Sequence, residues 1–502
     1  MENGSRLAAV DLGSNSFRLE IARLKHGQLH RTEYLKETVR QGDGLNESHQ
    51  LSEPAMQRGW DCLARFAEQL AGFHADHVRV VATQTLREAK NRDVFIARAR
   101  SILGFPIDVI SGREEARLIY QGVAHYLPQS NERRLVIDIG GRSSELILGQ
   151  ALQAQSMGSY RIGCVSWSMA YFANGELSET TFKRADIAAK AVLDEVAKLY
   201  APSQWDVAYG SSGTMGAVGD LLEAAGWPAG VICLPGIEWL IDTLCKAGSI
   251  EKVKLLGLKE ERRAVLAGGL SVLKALFELL HMTRLTVAHG ALRHGALHDL
   301  LNRDVSGVDL RSASVARLVN QFQIDPKQAE QVSRSAHHLL ATLLPTLAKL
   351  GHDGAHLQKK LNWAALLHEA GCIISHDGYH KHGAYILDHV EAPGFALHEL
   401  HTLSLLVLGH KGKLKKLNDE LNDNSFTAQL MCLRLAVIFC HARADFASNG
   451  VILNYAANHP RHFSLCLPNS WQTKLPQTIH LLEQEAHAWS KTDCLLSVTY
   501  TP

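Results

Sequence analysis

The chain writes one short pattern twice. LAAVDLGSNSFRLEIARL at 7–24 and RLVIDIGGRSSELILG at 134–149 each read as an apolar strand ending in aspartate, a turn containing glycine, and a second strand. A shift of 127 positions lays Asp11 on Asp138, Gly13 on Gly140, Ser16 on Ser143 and Leu19 on Leu146. A repeat this wide is a domain-sized unit, so the chain is expected to build two related lobes facing each other across a cleft, with both turns lining it.

Strand and helix signals alternate through both copies, which argues for α/β layers with mixed sheets. In the first copy three strands precede a helix in EPAMQRGWDCLARFAEQLAGF. The strand VRVVAT then feeds one helix near LREAKNRDVFIARARSILG, and a short strand IDVI precedes the helix of SGREEARLIYQGVAHYL. The second copy runs from its hairpin through a helix in ETTFKRADIAAKAVLDEVAKLYA, a strand WDVAYG and a turn SSGT at 211–214. It closes with RLTVAHGALRHGAL. After about Asn302 the texture turns to long helices rich in Leu and His, and the tail reads as a small α+β cap. The expected division is 1–128 and 129–304 for the two lobes, 305–453 for a helical domain and 454–502 for the cap.

With 52 Lys plus Arg against 51 Asp plus Glu, the net charge of +1 gives no bulk field for polyanions such as nucleic acid, so any anion site must be local. Nine cysteines without a CxxC pair fit reduced thiols. The N-terminus lacks an apolar signal core, and the most apolar run, AVLAGGLSVLKALFELL, carries Lys274 and Glu278 and is too short to span a bilayer. A cytoplasmic protein without integral membrane contact is expected.

A strand that ends in Asp and enters a Gly/Ser turn presents backbone N–H groups that suit phosphate oxygens. On this reading Gly13, Ser14, Asn15, Ser16, Gly140, Gly141, Arg142 and Ser143, with Ser211, Ser212 and Gly213, bind phosphate. Asp11, Asp138 and Glu145 are candidates for direct or water-mediated Mg²⁺ binding, Asp138 the foremost. The Arg142 guanidinium either reaches the phosphate site or turns to solvent.

The turns resemble the phosphate loops of the actin, sugar kinase and chaperone ATPase superfamily. TQTLREAKN at 83–91, VISGREEARLIYQGVAH at 109–125, IGCVSW at 162–167, YGSSGT at 209–214 and HGALRHG at 289–295 then narrow the resemblance to the exopolyphosphatase and guanosine pentaphosphate phosphohydrolase family. The match continues through LNWAALLHEAG and HKHGAYIL, so it covers nearly the whole chain. It implies two actin-like, ribonuclease H-like lobes, an all-helical HD-like domain and a homodimer, for which HTLSLLVLGH at 401–410 offers apolar surface. It also implies that Glu115 is the general base and that Arg87 binds phosphate.

Glu114 has a local duty as the N3 residue of a capping box with Ser111, whereas Glu115 has none. In the HD-like region His368 is followed by Glu369 where the HD superfamily has aspartate, with Asp445 further on, which favours a structural domain over a retained metal site. His337, His338, His382 and His410 read as packing or surface residues. Lys411, Lys413, Lys415 and Lys416, in HKGKLKK, could hold a long polyanion by counterion release.

The expected activity is Mg²⁺-dependent hydrolysis of the terminal phosphoryl group of inorganic polyphosphate. Guanosine pentaphosphate is the alternative substrate. An ATP-dependent kinase and a non-catalytic phosphate-polymer sensor are remoter alternatives.

Overall fold

The computed structural model describes residues 1–128, 130–305, 310–390, 392–443, 450–455 and 461–501, with the side chains of 302–305 left aside. The chain forms two compact units, 1–307 and 308–502.

The first unit contains two sheets. The first has the order β3-β2-β1-β4-β5 and comprises β1 (Arg6–Leu12), β2 (Phe17–Lys25), β3 (Gln28–Glu37), β4 (Val78–Ala82) and β5 (Ile107–Val109). The second has the order β10-β11-β9-β6-β7-β8. Its members are β6 (Arg133–Ile139), β7 (Ser144–Gln150), β8 (Gln153–Tyr160), β9 (Val207–Ser211), β10 (Val231–Cys233) and β11 (Arg284–Val287). In both sheets an antiparallel three-stranded meander continues into parallel strands: β1 pairs with β4 as β6 pairs with β9. The repeat is therefore structural as well as textual, and β6 begins 127 residues after β1. Central β1 buries Leu7, Ala8, Ala9 and Val10 completely, while edge strand β3 is polar and mostly exposed.

Three local expectations change. The helix expected across 86–104 is two, Gln84–Glu88 and Arg92–Leu103, because Asn91 exchanges two 2.9 Å hydrogen bonds with the backbone of Leu51 and breaks the helical run. The helix expected across 179–201 also divides, into Glu179–Val192 and Val196–Leu199. The SSGT segment is no free turn: β9 ends at Ser211 and the helix Ser212–Ala224 starts at the next residue.

The segment assigned to the second lobe does not stay there. Its last helix, Leu292–Val305, packs on the helix Gly112–Ala124 and on β1 of the first sheet. Glycines make this possible. A Cβ on Gly295 would lie 1.8 Å from the Leu118 carbonyl oxygen, and one on Gly122 would lie 2.1 Å from that of Ala291. The backbones touch because those side chains are missing.

In the second unit, the helices Leu310–Gln321, Pro326–Lys349, Gly354–Leu367, Tyr379–His389, Leu397–Gly409 and Asn424–Phe439 precede a three-stranded sheet. That sheet has the order β12-β13-β14, formed by β12 (Ile452–Tyr455), β13 (His462–Pro468) and β14 (Leu495–Thr501). A boundary at 453/454 would cut β12. The helical residues Leu343, Leu361 and Leu433 share one core with Phe463, Leu465 and Trp489, so the expected cap and helical domain fold around a single interior. The apolar run at 401–410 is spent inside this core: Leu403, Leu406 and Val407 are buried, which removes it as exposed surface for a dimer.

Candidate active site

The two repeated turns, 13–16 and 140–143, line one cavity of about 270 Å³. The carbonyls of Gly140 and Gly141 accept the first N–H groups of the helix Cys164–Tyr171, at 2.8–3.1 Å, which fixes the second turn. In the first turn Ser14 Oγ accepts from Thr85 Oγ1 at 2.8 Å.

Of the residues expected from sequence, Asp11, Gly13, Ser14, Asn15, Ser16, Glu115, Asp138, Gly140, Gly141, Ser143, Ser212 and Gly213 line the cavity. Arg87, Arg142, Ser211 and Glu145 do not. Ser211 is fully buried and its hydroxyl donates to the Gly290 carbonyl at 3.0 Å. Ser212 holds φ at +96°, a costly conformation for a residue with a Cβ, where β9 enters its helix, and its Oγ accepts from the N–H groups of Thr214 and Met215.

Equivalent positions in the two copies carry a basic and an acidic side chain. On β2 the cross-strand partner of Asp11 is Arg18, which donates to it at 3.0 Å. On β7 the partner of Asp138 is Glu145. Asp138, only 8% exposed, makes no salt bridge among the described residues, and burial pushes its pKa to about 6 against the opposing influence of the neighbouring Ser211 and the charge of Arg18. Burial also drives Glu145 well above its usual range, helped by the fields of Glu115 and Asp138, while Ser159 donates to it at 2.8 Å. A buried carboxylate facing the cavity without a counter-ion fits a divalent cation. Among the described residues no group of three or more His, Cys, Asp or Glu gathers as a metal cage.

The helix Gly112–Ala124 carries Glu115 into the cavity. Ser111 caps it, its Oγ accepting from the Glu114 N–H at 3.2 Å. The glutamate half of the expected box is not formed, because the fully buried Glu114 turns to Arg117 at 2.8 Å and Arg79 at 3.5 Å. Glu115 lies under the turns, and its pKa rises to about 7, chiefly by burial and further by Asp11 and Asp138, against the lowering field of Arg87. Arg87 donates to Glu115 Oε2 through both terminal nitrogens at 3.2 Å. It stands behind the base and outside the lining.

Sequence reasoning missed the cationic side of the cavity: Arg18, Lys36, Arg262 and Arg293, with Tyr34 and His289. Arg18 had a signal, since it occupies the position that the 127-residue shift lays on Glu145. Arg262 had none. It is 7% exposed, burial pulls its pKa below the usual guanidinium value, and a Cβ on Gly213 would sit 1.8 Å from its Nη2. The guanidinium thus rests on the opening turn of the helix Ser212–Ala224, whose N–H groups also favour anions.

In the second unit, Leu414 and Leu417 anchor the lysine segment in the core and leave Lys411, Lys413, Lys415 and Lys416 exposed. Lys411 lies 4.9 Å over the Tyr379 ring. The Lys416 ammonium is covered in part, and this covering, with Arg434 and Lys381, lowers it to about 8. His337, His338, His368 and His410 each bond a backbone carbonyl at 2.6–3.0 Å, and Glu369 pairs with Arg443 at 2.8 Å. Asp445 lies outside the described residues.

A buried carboxylate poised near neutrality, set under two glycine turns and faced by arginines, defines the class of phosphate-ester and anhydride chemistry by hydrolysis. The Ppx/GppA phosphatase family description matches residues 20–304, and that of Ppx/GppA phosphatase domain III matches 310–486. The guanosine-5'-triphosphate,3'-diphosphate pyrophosphatase of Vibrio cholerae serotype O1 is 38% identical over 493 residues, 98% of this chain and 97% of its own. The protein of the same name from Aeromonas hydrophila is 37% identical over 476 residues, 94% of each chain. Among solved structures, a Ppx/GppA family member from Aquifex aeolicus is similar with a TM-score of 0.51 and 26% identity over 60% of this chain and 99% of its own. An exopolyphosphatase from Cytophaga hutchinsonii shares the fold, with a TM-score of 0.55 and 24% identity over 60% and 98%. This chain belongs to the Ppx/GppA phosphatase family and is a hydrolase.

Proposed function

We propose that the protein hydrolyses the terminal phosphoryl group of the 5'-triphosphate of guanosine pentaphosphate, yielding orthophosphate and the tetraphosphate. The observation that carries the chemistry is Glu115, a cavity carboxylate pushed to about 7 and so half ionised at neutral pH. The name shared by relatives matching almost the whole chain favours the nucleotide over inorganic polyphosphate, reversing the order of preference drawn from the sequence. Glu115 takes a proton from water, the water oxygen bonds to the terminal phosphorus, and the anhydride P–O bond breaks with its electron pair leaving on the nucleotide oxygen. The two turns align the terminal phosphoryl group, while Arg18, Lys36 and Arg262 neutralise the remaining phosphates. Mg²⁺ held by Asp138, with Glu145 and Asp11 nearby, would add Lewis-acid charge neutralisation when bound.

The same reading takes the sheets as the paired ribonuclease H-like lobes of the actin superfamily and the second unit as a non-catalytic HD-like domain. It makes the protein a cytoplasmic homodimer. No helix among the described residues is long and apolar enough to cross a membrane.

A second reading, exopolyphosphatase, is favoured by the four exposed lysines at 411–416, which match a long polyanion. Phosphate release from guanosine pentaphosphate and from long polyphosphate, assayed in parallel, separates the two. The expected result is a kcat/KM at least about tenfold higher for the nucleotide. Turnover of polyphosphate with the nucleotide left intact would overturn the assignment.

A further inference from the structure

Arg142 belongs to the second phosphate turn, yet its guanidinium leaves the cavity. It crosses to the first lobe, where Nη1 donates to the Gly42 carbonyl at 3.1 Å and Nη2 stands 3.6 Å from Glu88 Oε2. Its aliphatic stem lies against Gly42, where a Cβ would come within 3.1 Å of Arg142 Cδ. From Glu88 a continuous set of bonds runs to the base. Glu88 Oε1 accepts from Gln84 Nε2 at 2.6 Å. The carbonyl of the Gln84 side chain, a residue 4% exposed, accepts from Arg87 Nε at 3.1 Å and from Nη2 as well. Arg87 donates to the Ile110 carbonyl at 2.7 Å and presents its remaining edge to Glu115.

We propose that Arg142 is a positioning residue: by satisfying Glu88 from across the cleft, it keeps Arg87 committed to Glu115 and aligns the base only when the second phosphate turn is docked on the first lobe. The physical reason is competition. Glu88 and Glu115 are both largely buried carboxylates around one guanidinium, and a buried carboxylate without its cation is costly. Gln84 separates Arg87 from Glu88 while Glu88 is neutralised. With Arg142 gone, Glu88 becomes the stronger pole and draws the Gln84–Arg87 fork away from the base. Arg161, 82% exposed and 3.8 Å from Glu88, is a weak substitute.

The inference rests on Glu115 being the base, and the experiment keeps the two apart. Arg142→Gly, Arg142→Lys, Glu88→Gln, the double variant Arg142→Gly/Glu88→Gln and Glu115→Gln are assayed with guanosine pentaphosphate and with polyphosphate, alongside thermal unfolding and Mg²⁺ titration. Arg142→Gly is expected to lower kcat about three- to tenfold on every substrate the native enzyme turns over, with KM, the half-saturating Mg²⁺ concentration and the unfolding temperature nearly unchanged. Arg142→Lys restores part of the loss. Glu88→Gln, which removes the competing charge, costs less than Arg142→Gly, and the double variant recovers to the level of Glu88→Gln. Additive losses, a change confined to KM or to the Mg²⁺ requirement, or a fall matched by a lower unfolding temperature would overturn the role of Arg142. An active Glu115→Gln would instead overturn the assignment of the base.

Discussion

Replacing Glu115 by Gln tests the electrostatics of the site in two independent ways. The native carboxyl titrates near 7 instead of 4.5 because it is buried. A base must be ionised to act, so kcat should rise about tenfold between pH 6 and pH 8 and level off above. Glutamine removes that dependence along with about 10² to 10⁴ of the turnover, whereas Glu114→Gln, whose carboxylate faces Arg117 and Arg79, leaves turnover per folded molecule near native.

The same shift makes a stability statement. An acid whose folded pKa is raised holds its proton more tightly when folded, so its contribution is favourable at low pH and is lost as pH rises from about 4.5 through 7. The shift corresponds to about 3 kcal/mol, an upper bound because the substituted glutamine would also give up part of the Arg87 contact. Glu115→Gln should therefore gain stability relative to the native protein between pH 5 and pH 8, by about 1–3 kcal/mol in urea unfolding. A stability difference independent of pH, or an activity limb centred near 4.5, would refute the reasoning.

Arg262→Ala should raise KM about ten- to a hundredfold with a smaller effect on kcat, since the guanidinium it removes is buried in the cavity against Gly213; initial-rate kinetics check this. Gly295→Ala should destabilise the first unit by several kcal/mol, seen as a lowered unfolding temperature, because its methyl would overlap the Leu118 carbonyl. Alanine at Lys411, Lys413, Lys415 and Lys416 together should weaken binding of long polyphosphate far more than of short oligophosphate, and the difference should shrink in high salt; equal changes would remove the patch as a polyanion site.

What the sequence disclosed followed the range of its signals. The two hairpins were legible because strand, aspartate and turn glycine lie within a few residues, and the shared spacing linked them. Glu115 was found by its motif, and local parsing separated it from Glu114, although the true partners of Glu114, Arg79 and Arg117, lie beyond a capping box. Arg262 could not be found, since an arginine in EERR looks like solvated surface until the fold brings it over Gly213. The return of the helix Leu292–Val305 to the first sheet was hidden for a related reason: the close backbone contact that Gly290 and Gly295 permit is made with residues far away in sequence. Arg87 and Arg142 were placed beside the cleft, but the ends of their side chains were not legible, because a residue's position on the backbone does not fix where a long side chain ends.

The unequal pairing of Asp11 with Arg18 and of Asp138 with Glu145 has a consequence for orientation. Two identical cradles facing one another would receive a linear anion equally well in either sense. Arg18 lines the cavity while Glu145 stays buried outside it, so the two turns present unlike surroundings and the two senses of entry differ in energy. An anion with unlike ends would therefore meet the two turns differently, which is what a site needs in order to present one terminal phosphoryl group to Glu115.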